Sequence, residues 1–163
     1  QAHYLLDMPL DNVRVLFHPQ DRVRALVQLK DGYFKAILGP ANPRSAIQLA
    51  LSYPQRWDNP TLPQLSLEDL GQLTFQPLEE GRFPCFRLAM RAARAGGTSL
   101  AVLNAANETA ISLFLHRQIG FQDIPRIVER ALIGHNSKPN PSLEELLAAD
   151  RWAREFAAQQ VPE

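Results

Sequence analysis

Histidine can bind a metal ion or transfer a proton near neutral pH, and this chain carries four histidines. They stand far apart, and no two have the four-residue spacing that places both imidazoles on one face of a helix. We therefore expect structural or exposed histidines rather than a metal site. Two of them lie near predicted helix C-termini, where the helix dipole stabilises a protonated imidazole. The four are His3, His18, His116 and His135, of which the last two are those at helix ends.

Cys85 is the single cysteine, which excludes an intramolecular disulfide and a cysteine-rich zinc site. It lies near a predicted helix N-terminus, where a thiolate is stabilised, but its neighbours Phe83 and Phe86 are apolar and no base can be assigned. We expect a buried structural thiol. The carboxylate pairs Glu79-Glu80 and Glu144-Glu145 are poor joint metal ligands, because successive helical side chains point about 100° apart.

The segment Leu103-Asn104-Ala105-Ala106-Asn107-Glu108 is unusual for a helix, since Asn is a weak helix former. Its alanines allow close helix packing, and its asparagines can tie the helix to a neighbouring loop. We interpret it as a structural device first and a ligand site second. His18-Pro19-Gln20 is equally compatible with a turn and with a functional role. The glycines form neither a dinucleotide fingerprint nor a P-loop, so the residues alone indicate no catalytic constellation.

The composition is that of a globular protein, with 45% hydrophobic and 21% charged residues among 163. The 17 basic and 17 acidic residues balance, which argues against a general binder of nucleic acid or anionic membranes. No apolar run reaches the roughly 20 residues of a membrane span, and the N-terminus does not have the pattern of a signal peptide. The chain begins with Gln1 rather than Met, which is consistent with a segment of a longer protein.

The first third of the chain is predicted to contain strands and turns. Residues 23–30 alternate between two faces, as in a half-buried strand. Asp31-Gly32 follows and predicts a type I′ hairpin turn into a strand over 33–38. A short strand is also expected within 13–17, a helix over 44–53, and a proline-containing loop over 54–65.

The remainder is predicted to be mostly helical. A one-turn helix at 66–69 comes first, followed by an extended piece at 73–75 that ends at Pro77. Asp123 is the predicted cap of the third long helix, and Ser142 with Glu145 forms a predicted capping box for the fourth. The four helices cover 83–95, 99–116, 123–133 and 142 to about 159, with short connections typical of an antiparallel bundle. The expected fold class is α+β, with a small antiparallel sheet followed by a C-terminal helical bundle. We place the domain boundary between 1–65 and 66–163.

Several sequence words of this chain together resemble one enzyme family. In the first half they are His18-Pro19-Gln20, Asp31-Gly32, Leu38-Gly39 and Leu73-Thr74-Phe75. In the second half they are Arg82-Phe83-Pro84-Cys85, Gly96-Gly97-Thr98, Leu103 to Glu108, Phe121 to Glu129 and Ala149-Asp150. Their order and spacing are similar to those of the C-terminal part of 1-deoxy-D-xylulose 5-phosphate reductoisomerases, and the resemblance covers essentially the whole chain.

The resemblance implies a parent enzyme that converts 1-deoxy-D-xylulose 5-phosphate to 2-C-methyl-D-erythritol 4-phosphate. That reaction uses NADPH and Mg²⁺ or Mn²⁺ and belongs to the non-mevalonate isoprenoid route. The family's cofactor domain, metal ligands and main substrate contacts lie upstream of the position of Gln1. The resemblance therefore implies no catalytic, cofactor-binding or metal-binding residue here, and a cytoplasmic fragment that is inert alone. It also implies a homodimer whose contact includes the hairpin over 23–38.

Two segments depart from the family pattern on the side that faces the active site. The family usually has His where this chain has Arg24, and Pro-Asp-Met in the segment that here contains Asn42 and Pro43. Arg24, Asn42 and Pro43 are therefore the candidates for residues adjacent to an active site. The interpretation we favour is a divergent but active parent, and the other is a parent whose reaction is lost or altered.

Two other hypotheses stay open. The chain could be a non-catalytic dimerisation or scaffold module derived from that enzyme. It could also belong to a paralogue that acts on another phosphosugar, with Arg24 as an anion contact.

Overall fold

The computed structural model describes residues 2–40, 42–79 and 81–160. The chain divides into two compact units, which we call the helical unit (Gln1–Arg14 with Glu79–Glu163) and the sheet unit (Val15–Leu78). The α+β fold class is confirmed. The domain boundary at residue 65 stays a prediction.

The sheet unit contains two separate antiparallel pairs of strands. Strand β1 (Leu16–Phe17) pairs with a strand at Gln76–Pro77, and β2 (Val23–Gln28) pairs with β3 (Phe34–Leu38). The strand Gln76–Pro77, called β4, follows the segment 73–75 where the sequence predicted extended chain.

The turn between β2 and β3 differs from the predicted type I′. The Gly32 N–H donates to the Leu29 carbonyl at 3.0 Å, and the Leu29 N–H donates to the Tyr33 carbonyl at 2.8 Å. Gly32 has a φ of +89°, whereas Asp31 is not among the residues with positive φ. This is a three-residue loop with a left-handed glycine. The hairpin was predicted correctly, but its turn type was not, since a type I′ turn needs positive φ at both Asp31 and Gly32 and only Gly32 has it. The Asp31 side chain accepts the Tyr33 N–H at 3.2 Å.

The β2–β3 hairpin was expected to be half-buried, and this expectation is wrong for the described chain. Five of the six residues of β2 and all five of β3 are exposed. Apolar side chains are among them, including Phe34 at 60% and Ile37 at 62% exposure. The alternating pattern therefore marks a sheet whose apolar surface is not covered within residues 2–40, 42–79 and 81–160.

Helix α2 (Pro43–Ser52) follows the hairpin and confirms the helix predicted at 44–53. It is preceded in the chain by α1 (Ala2–Leu5) and by a 3₁₀ turn at Leu10–Asn12. A second 3₁₀ turn, Glu68–Leu70, matches the predicted one-turn helix. Ser66 and Asp69 bond reciprocally there, since each side chain accepts the other's backbone N–H.

Four helices form the core of the helical unit. They are α3 (Pro84–Ala95), α4 (Ser99–Leu115), α5 (Asp123–Gly134) and α6 (Leu143–Ala158), close to the predicted ranges. Pro84 begins α3, and Gly96 ends it with a φ of +67°. The predicted capping box of Ser142 and Glu145 is present. Asp123 is not the N-cap, because it is the first helical residue and its Oδ2 accepts the Gly120 N–H at 2.9 Å.

Alanine side chains bring α4 against α6. Six alanines on these two helices are each at most 5% exposed. They belong to a core that also contains Leu88, Val102, Ile127 and Val128. Small side chains let two helix backbones approach closely, which was the predicted role of the alanines in the 103–108 segment. The six alanines are Ala105, Ala106 and Ala110 on α4, with Ala149, Ala153 and Ala157 on α6.

Among the described helices, none has both the length and the apolar character required to cross a bilayer.

Candidate functional site

His18-Pro19-Gln20 acts as a tether within the sheet unit. The His18 Nδ1 donates to the Thr74 carbonyl at 2.8 Å, and its Nε2 accepts the Arg22 N–H at 3.1 Å. Gln20 contacts the hydroxyl and the backbone N–H of Thr74, and the His18 ring stacks on Phe75 at 4.7 Å. Both ring nitrogens of His18 are thus engaged in the fold. Two of the sequence motifs that carried the resemblance therefore contact each other, through His18 and Thr74, which are 56 positions apart.

Arg24 lies in β2 and forms an ion pair with Asp21 at 3.0 Å. Both side chains are solvent-accessible, at 40% for Arg24 and 59% for Asp21. Asp21 has a φ of +50°, in the left-handed region that short polar residues tolerate. The candidate residue Arg24 is therefore joined to Asp21, three positions before it in the chain. Arg24 presents a guanidinium whose orientation is partly set by Asp21.

Asn42 and Pro43 begin helix α2. Asn42 is the N-cap, its Oδ1 accepts the Arg44 N–H at 2.9 Å, and Pro43 occupies the first turn, where a missing N–H costs nothing. The Gly39 N–H donates to the Arg22 carbonyl at 3.0 Å, and Val23 pairs with Leu38. The structure therefore places Arg24 and the segment that leads to Asn42 at the same end of the hairpin. Whether this end adjoins an active site stays a prediction.

The other histidines are also held by hydrogen bonds, which are local for His3 and His116 and long-range for His135. His3 and His116 each donate from Nδ1 to a carbonyl, of Met8 at 2.6 Å and of Ser112 at 2.8 Å. His135 bonds through Nε2 to the Thr98 hydroxyl at 2.6 Å. Burial lowers the pKa of the His135 imidazole, which favours its neutral form over the protonated form that a helix C-terminus stabilises.

Cys85 packs against the helical core, and burial raises the pKa of its thiol. A raised pKa disfavours the reactive thiolate, which supports a structural role. Of the carboxylate pairs, Glu144 accepts the Ser142 hydroxyl at 2.8 Å and Glu145 belongs to the capping box. The pair Glu79-Glu80 falls partly outside the described residues, since Glu80 is not among them.

Sequence reasoning missed an ion network between α4 and α6. The Arg154 guanidinium bonds Glu108 at 2.7 Å and Asp150 at 2.8 and 3.1 Å. The hydrogen bond from Arg154 lowers the pKa of Glu108, and Asn104 adds a second bond at 3.0 Å. Asn104 was expected to bind a loop, but its partner lies four residues along the same helix. The spacing from Asp150 to Arg154 was the one local indication of this network.

A second missed feature joins the two loops at one end of the helical unit. We call it the loop clasp, formed by residues 96–99 and 135–138. The Thr98 N–H donates to the Lys138 carbonyl at 3.2 Å, and the Lys138 N–H donates to the Thr98 hydroxyl at 3.1 Å. Ser137 adds bonds to Ser99 at 3.0 Å and to the Gly96 carbonyl at 3.4 Å. The word Gly96-Gly97-Thr98 therefore serves the connection between these loops.

Metal-binding side chains do not converge in the described part of the chain. Within residues 2–40, 42–79 and 81–160, no group of three or more His, Cys, Asp or Glu side chains could hold a metal ion.

Comparisons with known proteins give a consistent result. The family model described as "DXP reductoisomerase C-terminal domain" matches residues 38–156. The 1-deoxy-D-xylulose 5-phosphate reductoisomerase of Acetivibrio thermocellus is 44% identical over 161 residues, which are 99% of this chain and 42% of the relative. That of Moorella thermoacetica is 47% identical over 157 residues, 96% of this chain and 40% of the relative.

Solved structures agree with this result. The Zymomonas mobilis 1-deoxy-D-xylulose 5-phosphate reductoisomerase in complex with NADPH superposes with a TM-score of 0.87 and 36% identity. The match covers 99% of this chain and 43% of that one. A DOX-P reductoisomerase in complex with NADPH, fosmidomycin and magnesium gives a TM-score of 0.86 at 32% identity, over 98% of this chain and 41% of the other. The chain thus spans about two fifths of the length of the relatives it matches.

Proposed function

The chain belongs to the DXP reductoisomerase C-terminal domain family, and on that premise we propose that it is the C-terminal part of a reductoisomerase. The parent enzyme converts 1-deoxy-D-xylulose 5-phosphate to 2-C-methyl-D-erythritol 4-phosphate with NADPH, in the non-mevalonate isoprenoid pathway. The observation that carries the proposal is the structural match to the Zymomonas mobilis enzyme, with a TM-score of 0.87 over 99% of the chain.

The parent's cofactors are NADPH and Mg²⁺ or Mn²⁺. Related structures contain NADPH, and others contain magnesium, which supports both groups for the parent. The described residues offer no fitting metal ligands, so we assign metal and NADPH binding to the portion of the relatives that this chain does not cover. By itself the chain is then catalytically inert, and its role is to support a cytoplasmic enzyme.

The sheet unit supplies the expected homodimer contact. On the β2–β3 hairpin, Val27 and Ile37 lie on one face and Phe34 on the other, and each of the three is at least half exposed. Large exposed apolar side chains of this kind mark candidate interaction sites. The test is light scattering of the chain with Ile37→Glu. The matched control is Leu115→Glu, which adds the same charge at an exposed residue of the helical unit. We expect only Ile37→Glu to convert dimer to monomer; a monomeric unaltered chain would contradict this contact.

The end of the hairpin adjoins the active site in this proposal. Arg24 stands where the family usually has His, and its ion pair with Asp21 places a guanidinium there. Asn42 and Pro43 begin the helix on the same end of the hairpin. If the parent instead acts on another phosphosugar, Arg24 is the residue that would contact the anion, and Arg24→Ala would then weaken substrate binding.

The decisive assay measures NADPH oxidation with 1-deoxy-D-xylulose 5-phosphate and Mg²⁺ or Mn²⁺. We expect oxidation by the protein encoded by the complete gene and none by the 163-residue chain. The alternative is a non-catalytic dimerisation or scaffold module, which the exposed hairpin also supports. A complete gene product that dimerises but leaves NADPH unchanged would establish that alternative and overturn the enzyme.

A further inference from the structure

A cleft of about 310 Å³ lies beside the loop clasp, entirely within the helical unit. Its volume is at the lower end of the range of small-molecule sites, about 300–1,000 Å³. The walls include His135, Asn136, Ala148 and Trp152, and the rings of His135 and Trp152 lie 5.2 Å apart. None of the proposed functions of the parent enzyme uses this cleft.

The hydrogen bonds of Thr98 determine which nitrogen of His135 carries the proton. Thr98 is only 1% exposed, and its hydroxyl accepts the Lys138 N–H. A buried hydroxyl hydrogen needs an acceptor, and among the described residues the one bonded to it is the His135 Nε2. The Thr98 hydroxyl therefore donates to Nε2, and His135 carries its proton on Nδ1. The lowered pKa of His135 agrees with this neutral form.

Three N–H donors on residues that line the cleft make no hydrogen bond to another described residue and are open to solvent. They are the Nδ1–H of His135, the side-chain amide of Asn136 and the indole N–H of Trp152; no described residue accepts a hydrogen bond from any of them. The charged residues at the cleft are satisfied instead. Lys138 pairs with Glu145 at 3.1 Å, and the other oxygen of Glu145 accepts the Ser142 N–H at 3.0 Å. The cleft residues that lack a hydrogen-bond partner among the described residues therefore carry neutral N–H donors.

We propose that this cleft binds a small carboxylate with a flat, apolar body. The two oxygens of a carboxylate offer about four acceptor sites, which suits three N–H donors. Hydrogen bonds to a charged acceptor are also stronger than neutral ones. Trp152 and Ala148 provide the apolar wall, and an aromatic ring can stack or pack edge-on against the indole. The exposed ammonium of Lys138 adds attraction for an anion and offsets the repulsion from Glu145.

The experiment is an NMR titration of the ¹⁵N-labelled chain with benzoate, at about pH 7.5, where His135 is neutral. The chain has two tryptophans, so the indole N–H of Trp152 is the reporter and that of Trp57 is the internal reference. We expect a saturable shift of the Trp152 resonance alone. Benzamide, the neutral analogue, should bind more weakly than benzoate, and benzylammonium should produce no shift.

Variants separate this site from nonspecific binding. Asn136→Ala removes one donor and should weaken benzoate binding by about threefold to tenfold. Leu143→Ala, on α6 but outside the cleft lining, should leave the affinity unchanged. The proposal is overturned by a Trp152 resonance that does not saturate, by benzylammonium binding as well as benzoate, or by an Asn136→Ala variant of unaltered affinity. None of these results bears on NADPH oxidation by the parent.

Discussion

Gly97 is the residue at which the loop clasp tolerates least change. A Cβ added there would lie 2.2 Å from the Lys138 carbonyl oxygen and 2.9 Å from the Ser137 Oγ, and the φ of Gly97 is +55°. The left-handed backbone costs an alanine about 1–2 kcal/mol. Displacing a packed backbone carbonyl costs about 1–3 kcal/mol more, and the Thr98–Lys138 bonds are also strained. We therefore expect Gly97→Ala to lower the free energy of unfolding of the helical unit by about 2–5 kcal/mol.

The measurement is urea unfolding followed by Trp152 fluorescence in a Trp57→Phe background, so that only the helical unit is observed. Gly96→Ala is the control, since its φ is +67° but a Cβ there meets no atom within 4 Å. In that variant, backbone strain alone should lower the free energy of unfolding, by about 1–3 kcal/mol. Adding Ser137→Gly to Gly97→Ala should restore little stability, because the Lys138 backbone still clashes. A Gly97→Ala variant no less stable than Gly96→Ala would refute the close packing of the two loops.

Three further predictions concern charges and the hairpin. Burial lowers the pKa of His135, so the unfolded chain binds its proton more readily; stability should fall as pH drops below about 6.5 and level off at the folded-state pKa. His135→Gln should flatten this pH dependence in urea unfolding, and an unchanged slope would contradict it. A double-mutant cycle of Glu108→Ala with Arg154→Ala should give a small stabilising coupling, because both side chains are partly exposed and solvent screens the pair. The coupling should shrink in high salt, and a zero coupling at low salt would count against the network. Gly32→Ala should cost about 1 kcal/mol, from its φ of +89° alone since the space around it is open, and a neutral result in thermal unfolding would contradict the three-residue turn.

Local sequence patterns determined most of the elements. The helix ends were predictable because Pro84, Gly96 and the Ser142–Glu145 box act within one turn of the backbone. The hairpin was predictable for the same reason, although its turn type depended on the φ of Asp31, which Asp-Gly does not fix. These features need no knowledge of the tertiary structure.

The contacts made by the sequence motifs that resemble the family could not be predicted from local sequence. His18 binds Thr74 across 56 positions, and Thr98 binds His135 across 37. Such pairs depend on how the units fold, and a single sequence contains no periodicity that links them. The candidates Arg24, Asn42 and Pro43 came from resemblance to the family, and the physical contribution of the structure is their shared position at one end of the hairpin.

The most direct test of the account is a chimera. The C-terminal segment of the Acetivibrio thermocellus relative that matches this chain, 42% of its length, is replaced by the chain, and NADPH oxidation with 1-deoxy-D-xylulose 5-phosphate and Mg²⁺ is measured. We predict an active chimera, whose turnover rises when Arg24→His restores the family residue. A chimera that folds and dimerises but oxidises no NADPH, with or without Arg24→His, would contradict the claim that these residues support that enzyme.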